Sequence, residues 1–286
     1  MSRATNNSVL VLGAVAYDPK VVTIWEGFKS YFLDRGLPFD YVLYSNYERQ
    51  VEALLDDHVH LAWNSPLAWI RARRMANSSG RVVEAIAMRD TDCDLTSVLV
   101  ARIDSGIREL TGLRGRIVAV GAFDSPQATL LPLACLRASG LTPDEDFEVR
   151  MFDVLPGKHG DHVGGERSAA LALAAGQVDA ACMLEANYRM FQVDGVLDEA
   201  TTTILSRTNH FDHCNFTVSD RAPVALVARF RDLLLEMSYD DPDVRPLLEL
   251  EGLTEWRAGR TAGYDQLEEA VDRLAFYDES GAPLVR

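Results

Sequence analysis

The stretch from Tyr47 to Trp69, YERQVEALLDDHVHLAWNSPLAW, decides the fold class. Tyr47 to Leu55 reads as a helix, and His60-Leu61-Ala62-Trp63 follows as a short apolar strand. Ser65-Pro66 then opens a second helix, with Ser as N-cap and Pro at the first helical position. Working outward, Val9 to Val15 reads as a strand. Val21 to Leu33 reads as a helix that places Ile24, Phe28, Tyr31 and Phe32 on one face. Phe39 to Leu43, Val82 to Ala87 and Ser97 to Ala101 are further strands. Strands alternating with helices predict an open, mostly parallel sheet of the α/β class.

A second unit starts near Arg102. Ile117 to Val120 is a strand, Pro126 to Ala138 a helix and Glu148 to Phe152 a strand. The loop Leu155 to Gly165 is rich in Gly and His. Ser168 to Ala175 is a helix ending at Gly176, followed by strand Val178 to Ala181. Thr201 to Ser206 and Asn215 to Val218 are β-like. From Pro223 onward the pattern is helical, with stretches at Val224 to Met237, Val244 to Leu248, around Trp256 and at Tyr264 to Leu274. At 286 residues, two domains are expected.

Composition narrows the function. The chain carries 28 Lys+Arg against 43 Asp+Glu, a net charge of −15. A field of that sign repels phosphate backbones and anionic membranes, so nucleic-acid and membrane-surface partners are disfavoured. A small anion stays admissible, because local dipoles can oppose the global charge. The first residues, MSRATNN, lack the features of a secretory leader, and no apolar run is long enough to span a bilayer. The expectation is a cytoplasmic protein, or a periplasmic or extracellular one whose leader has been removed. Cys93, Cys135, Cys182 and Cys214 form no CxxC pair and are expected as reduced thiols.

Three strand-to-helix junctions are polar: Tyr17-Asp18-Pro19, Asn64-Ser65-Pro66, and Asp124-Ser125-Pro126-Gln127-Ala128-Thr129. In open α/β sheets such junctions hold ligands. At the third, the Ser125 and Thr129 hydroxyls, backbone N–H groups and the helix dipole could bind a compact anion; plain N-capping explains the same residues. Four histidines fall in two HxxH segments, His159/His162 and His210/His213, the second followed by Cys214. These are competent metal ligands, yet each His could equally serve one hydrogen bond, and no metal or other cofactor is assigned. Cys214 beside His213 also admits a nucleophile reading, without an acylation motif around it. Asp90, Asp92 and Asp94 lack the Gly and distal Glu of a calcium loop and read as a solvated acidic turn. No GxGxxG, GxxxxGK[ST] or GxSxG is present.

Several segments taken in order resemble a known family. They are Val9 to Pro19, the stretch 47–69, VGAFDSPQATLLP at 120–132, GDHVGGERSAALALAAGQVDAA at 160–181, and HCNFTV at 213–218. Together, from about Val9 to about Leu235, they resemble the phosphonate/phosphate/phosphite-type solute receptors of ABC transporters, proteins with the type II periplasmic-binding fold. The resemblance implies a two-lobed clamp, with residues 1–100 and 217–286 in one lobe, 101–216 in the other, and a ligand cleft between them. It implies that Ser125, Gln127, Ala128 and Thr129 meet the ligand's anionic group, with Tyr17, Ser65, Pro66 and His162 beside them. Glu185 and Asp212, with His213 adjacent, fall where the family's ammonium-binding carboxylates lie. Pro126, Gln127 and Leu130 leave fewer hydroxyls facing an anion, so a carboxylate or zwitterion suits the site as well as a phosphonate.

Two functions follow. One is a solute-binding protein for a small anionic or zwitterionic molecule, with an ABC permease as partner if exported. The other is a cytosolic lyase or cofactor-biosynthesis enzyme on the same fold, using His162, Glu185, His213 and Cys214.

Overall fold

The apolar run at the start forms β1 (Leu10–Val15), the inner strand of a sheet whose neighbours come from the next two β-α repeats. The computed structural model describes residues 8–160 and 164–284. After β1 come α1 (Lys20–Asp34), β2 (Phe39–Tyr44), α2 (Tyr47–Leu55), β3 (Leu61–Asn64), α3 (Pro66–Ser78) and β4 (Val83–Arg89). Local chemistry sets these boundaries. The Asn46 side chain accepts from the Arg49 amide to start α2. The Ser65 hydroxyl accepts from the Ala68 amide to start α3, with Pro66 where its missing N–H costs nothing. Then follow β5 (Ser97–Arg102), β6 (Ile117–Val120), α4 (Leu131–Ala138), β7 (Glu148–Met151), α5 (Gly164–Ala174), β8 (Ala180–Leu184), α6 (Glu185–Val193) and β9 (Thr202–Arg207). The chain finishes with β10 (Asn215–Ser219), α7 (Val224–Leu235), α8 (Arg245–Glu251), β11 (Trp256–Ala258) and α9 (Asp265–Arg273).

The chain divides into two compact units. One takes the chain up to Cys93, Asp212–Tyr264 and the segment from Tyr277; the other takes Asp94–Phe211 and Asp265–Phe276. These boundaries differ from the expected 1–100, 101–216 and 217–286 in three places, one of them being Asp212 to Phe216, which leads into β10 and belongs to the first unit. Strand β5 pairs antiparallel with β8 and β9, so it belongs wholly to the second sheet. Helix α9 leaves the C-terminal part for the second unit, burying Leu267, Ala270 and Val271. There it packs on α4, with Arg137 donating to the Arg273 carbonyl.

The first sheet has the order β11-β4-β10-β3-β1-β2 and the second β7-β6-β8-β5-β9. Strands β2, β1 and β3 are parallel, as are β7, β6 and β8. Strand β10, however, runs antiparallel to both β3 and β4, and β5 antiparallel to both of its neighbours. Each sheet is therefore mixed rather than mostly parallel. The region around Trp256 is also corrected: it is strand β11, paired antiparallel with β4 through Trp256↔Arg89. Tertiary pairing overrides a weak local signal there.

The first unit's core is aromatic. Trp25, Phe28, Phe32, Phe39, Trp63, Phe216, Phe230 and Trp256 are all buried. Phe216 lies at its centre, with ring centroids 4.7 Å from Trp63, 5.0 Å from Phe230 and 5.3 Å from Trp256. The second unit buries smaller residues on both sheet faces, among them Val98, Ala119 and Met183 on one and Leu99, Val118 and Val120 on the other. Phe216→Ala should cost about 3–5 kcal/mol in urea unfolding. A loss below about 1 kcal/mol would place the core elsewhere.

Candidate functional site

The site begins where β6 ends. Gly121 follows immediately, and a Cβ there would lie 2.7 Å from that of Ala128, so only glycine lets the chain turn this tightly against the next helix. That helix opens as a wide π turn, Pro126–Leu130, before continuing as α4. Such turns are frequent at functional sites. Ser125 caps it: its hydroxyl accepts from the Ala128 amide at 3.2 Å, and its carbonyl accepts from the Thr129 and Leu130 amides. Pro126 has no amide hydrogen to offer. The Thr129 hydroxyl donates to the Ala122 carbonyl at 2.7 Å, which spends its proton internally. The Ser125 hydroxyl proton and the Gln127 side chain are therefore the groups best placed to meet a ligand. Gln127 Oε1 is buried with no hydrogen-bond partner among the described residues.

Two buried carboxylates flank this turn. Asp124 Oδ2 accepts from the Gly157 amide at 2.5 Å and the His159 amide at 3.4 Å, tying the Gly/His loop to the helix start. Glu166, in the first turn of α5, accepts from the Leu184 amide, from Asn187 Nδ2 and from Gln127 Nε2. Gln127 Nε2 also donates to the Gly160 carbonyl at 2.7 Å. Gly160 has φ +69°, and a Cβ there would lie 2.4 Å from Ser125 Oγ. The loop backbone thus lies directly on the capping serine.

The first unit holds a separate buried polar network. Gln50 donates to Asn64, Asn64 to Thr217, Thr217 to Asn215, Asn215 to the Tyr264 hydroxyl, and Tyr264 to the His213 carbonyl. Beside it, Arg89 donates to both oxygens of Asp92, at 2.5 and 2.9 Å, and reaches Glu251 at 3.3 Å. Burial opposes ionisation of Asp92, but Arg89 and His213 outweigh it and hold the carboxyl at about 2. Burial pushes Glu251 up to about 7, against the pull of Arg89. Asp92 is thus no part of a solvated acidic turn: its partners lie underneath it.

The sequence candidates divide between the units. Tyr17, Ser65, Pro66, Asp212, His213 and Cys214 belong to the first; Ser125, Gln127, Ala128, Thr129 and Glu185 belong to the second. His162 lies outside the described residues. Neither of the two carboxylates expected near an ammonium group stands open. Asp212 is gripped by Arg260 at 2.6 and 2.7 Å, and Glu185 by Arg189, Arg207 and Thr96. Burial works against the Glu185 charge, but Arg207, Arg189 and Thr96 bring its carboxyl down to about 2. Cys214 and His213 meet side by side, with His213 Nδ1 3.1 Å from Cys214 Sγ. Asp124, Glu166 and Asp92 are not among the sequence candidates. For Asp124 a signal existed, its place at the cap; for Glu166 and Asp92 burial was the signal, and no local pattern carries it.

The family model for the periplasmic substrate-binding protein of phosphonate ABC transporters matches residues 15–264. Among solved structures, the chain is similar to PhnD1 from Prochlorococcus marinus in complex with methylphosphonate. The identity is 16%, with 94% of this chain and 99% of that one covered, and the TM-score is 0.68. It is similar to XAC2383 from Xanthomonas citri bound to ATP at 18% identity, covering 94% and 98%, with a TM-score of 0.71. The binding-protein component of a phosphonate ABC transporter from Pseudomonas aeruginosa matches at 16% identity over 92% and 85%, TM-score 0.63.

The lowered Glu185 carboxyl gives a pH prediction. A group whose folded pKa lies below its ordinary 4.5 stabilises the fold above that value and loses the contribution as pH falls toward about 2. Glu185→Gln should therefore be less stable than the parent at pH 7, and the gap should narrow steadily below about pH 4.5. A gap that stays constant down to about pH 3 would contradict the ion pairs.

Proposed function

Because the chain belongs to the phosphonate-type periplasmic substrate-binding family of ABC transporters, we propose that it binds a small solute carrying both a compact anionic group and a hydrogen-bond donor. The buried acceptor Gln127 Oε1, set between the Ser125 cap and two buried carboxylates, carries this reading. The Ser125 hydroxyl, whose lone pair already serves Ala128, has its proton to give to an anion. Gln127 Oε1 has no proton to give and can only accept a hydrogen bond from the ligand. A phosphonate or sulfonate without a donor would leave that acceptor buried and unmet, at a cost of about 1–3 kcal/mol. The anionic group gains from the helix dipole, while Asp124 and Glu166 favour a ligand with a positive or donor-bearing end.

The wider proposal is a receptor that works outside the cytoplasm and hands its solute to an ABC permease, as the family description implies. Among the described residues no helix is long and apolar enough to cross a membrane, so the transmembrane path would belong to a partner. A ligand role for Tyr17, Ser65, Pro66, Ala128 and Thr129 rests on the family resemblance and is part of the same proposal. XAC2383 was solved with ATP and PhnD1 with methylphosphonate, so the ligand's size is a separate question from its anionic group.

Titration calorimetry on the ligand-stripped protein tests the reading. An aminoalkylphosphonate should bind at least about tenfold more tightly than the alkylphosphonate of equal length. Gln127→Leu should erase that preference while leaving the fold intact by circular dichroism. Equal affinities in the parent, or a preference that survives Gln127→Leu, would overturn it. Gly160→Ala, whose Cβ would strike Ser125 Oγ at 2.4 Å from a left-handed backbone, should abolish binding and lower stability by more than about 1 kcal/mol. Unchanged affinity in that variant would place the ligand elsewhere.

A further inference from the structure

Two segments far apart in sequence meet in the first unit. The His213 amide donates to the Asp92 carbonyl at 2.8 Å. This contact brings Asp92, His213 and Cys214 together as three different donor types, oxygen, nitrogen and sulfur, whose ligand atoms all lie within 4.8 Å of one another. All three residues are buried. His213 Nδ1 stands 3.1 Å from Cys214 Sγ and 3.4 Å from Asp92 Oδ1. In the hydrogen-bonded arrangement one Nδ1 proton is shared between the Asp92 carboxylate and the Cys214 sulfur, a weak acceptor.

A metal ion serves all three at once. In a tetrahedral zinc site with bonds of about 2.0–2.3 Å, nitrogen and oxygen ligands lie about 3.4 Å apart, and nitrogen and sulfur about 3.6 Å. The His213–Asp92 spacing already matches the first, and the His213–Cys214 spacing falls about half an ångström short of the second. We propose that Asp92 Oδ1, His213 Nδ1 and Cys214 Sγ form a binding site for one zinc-class divalent ion, with water as the fourth ligand. The mixed donor set suits a borderline ion and is wrong for magnesium or calcium, which take oxygen ligands.

Arg89 is the obvious objection, since it already pairs with Asp92. A carboxylate has about four lone-pair sites, however, and Arg89 occupies one on each oxygen. Arg89 then holds Asp92 in position from behind, as partners of metal-bound carboxylates do. The formal charges of the ion and Arg89 are offset by Asp92 and a Cys214 thiolate, and cancelled in full when Glu251 is ionised. Binding would displace the thiol proton to solvent and form one metal–sulfur bond, with no change of oxidation state. The ion would join the segments through which the chain leaves the first unit, at Cys93, and re-enters it, at Asp212.

The test uses the full chain, reduced, free of any histidine tag and stripped with chelator. Cobalt(II) should bind at one equivalent, with the near-ultraviolet sulfur-to-cobalt charge-transfer band of a thiolate ligand, and zinc should bleach it. Cys214→Ser should lose the band, and Asp92→Asn should keep it but weaken cobalt binding at least about tenfold. His210→Ala should leave both unchanged. Absence of the band at saturating cobalt, or a band that survives Cys214→Ser, overturns the site. Should Cys214→Ser fail to fold, X-ray absorption on the zinc-loaded parent decides: one sulfur neighbour supports the site, none refutes it.

Discussion

Strand β10 is the constraint on which the first unit depends. It lies between β3 and β4, antiparallel to both, with Phe216 facing Trp63 on one side and Ala87 on the other. Until this strand arrives, β3 and β4 have no partner between them, and the aromatic core lacks the ring that touches Trp25, Trp63, Phe230 and Trp256. Because it follows the whole Asp94–Phe211 segment, the first unit cannot close before that segment has been synthesised. Pairings so distant in sequence fold slowly, since loop-closure entropy must be met before the contacts compensate for it.

The same insertion explains where polarity is buried. Strand β10 brings Asn215 and Thr217 into the sheet, where they join Asn64, Gln50 and Tyr264 in one hydrogen-bonded chain. The residues just before it, Asp212 to Cys214, are held by Arg260, by Tyr264 and by the Asp92 backbone. Buried polar groups of this kind are tolerated because nearly all are paired. Gln127 Oε1, in the second unit, is one of the exceptions, and the proposed ligand contact rests on its place beside the Ser125 cap.

Much of the architecture was legible in the sequence because its elements carry strong local signals. The 3.6-residue apolar pattern gave α1, the Ser-Pro pair gave the start of α3, and the apolar run Ile117–Val120 gave β6 to the residue. Helix α6 was missed because only Tyr188 and Phe191 of its nine residues are buried, too narrow a stripe to read. Strand β11 is three residues long and exists by pairing with β4. At the candidate site, the Ser125 cap was legible from a serine-proline pair after a strand, whereas Gln127 entered only through the family resemblance. The pairing of Glu185 with Arg207, and of Asp92 with His213, was not, because the partners come from distant segments. Sequence spacing suggests which residue types are available; only the fold decides which charges are already spent.

The central claim is that the Ser125–Gln127 turn holds the ligand's anionic group and takes a proton donor from its other end. A crystal structure of the protein with an aminoalkylphosphonate tests it most directly. The anion should lie within about 3 Å of Ser125 Oγ, and a ligand nitrogen within about 3 Å of Gln127 Oε1. Ligand density at any other place on the molecule, with Gln127 Oε1 still unmet, would contradict it.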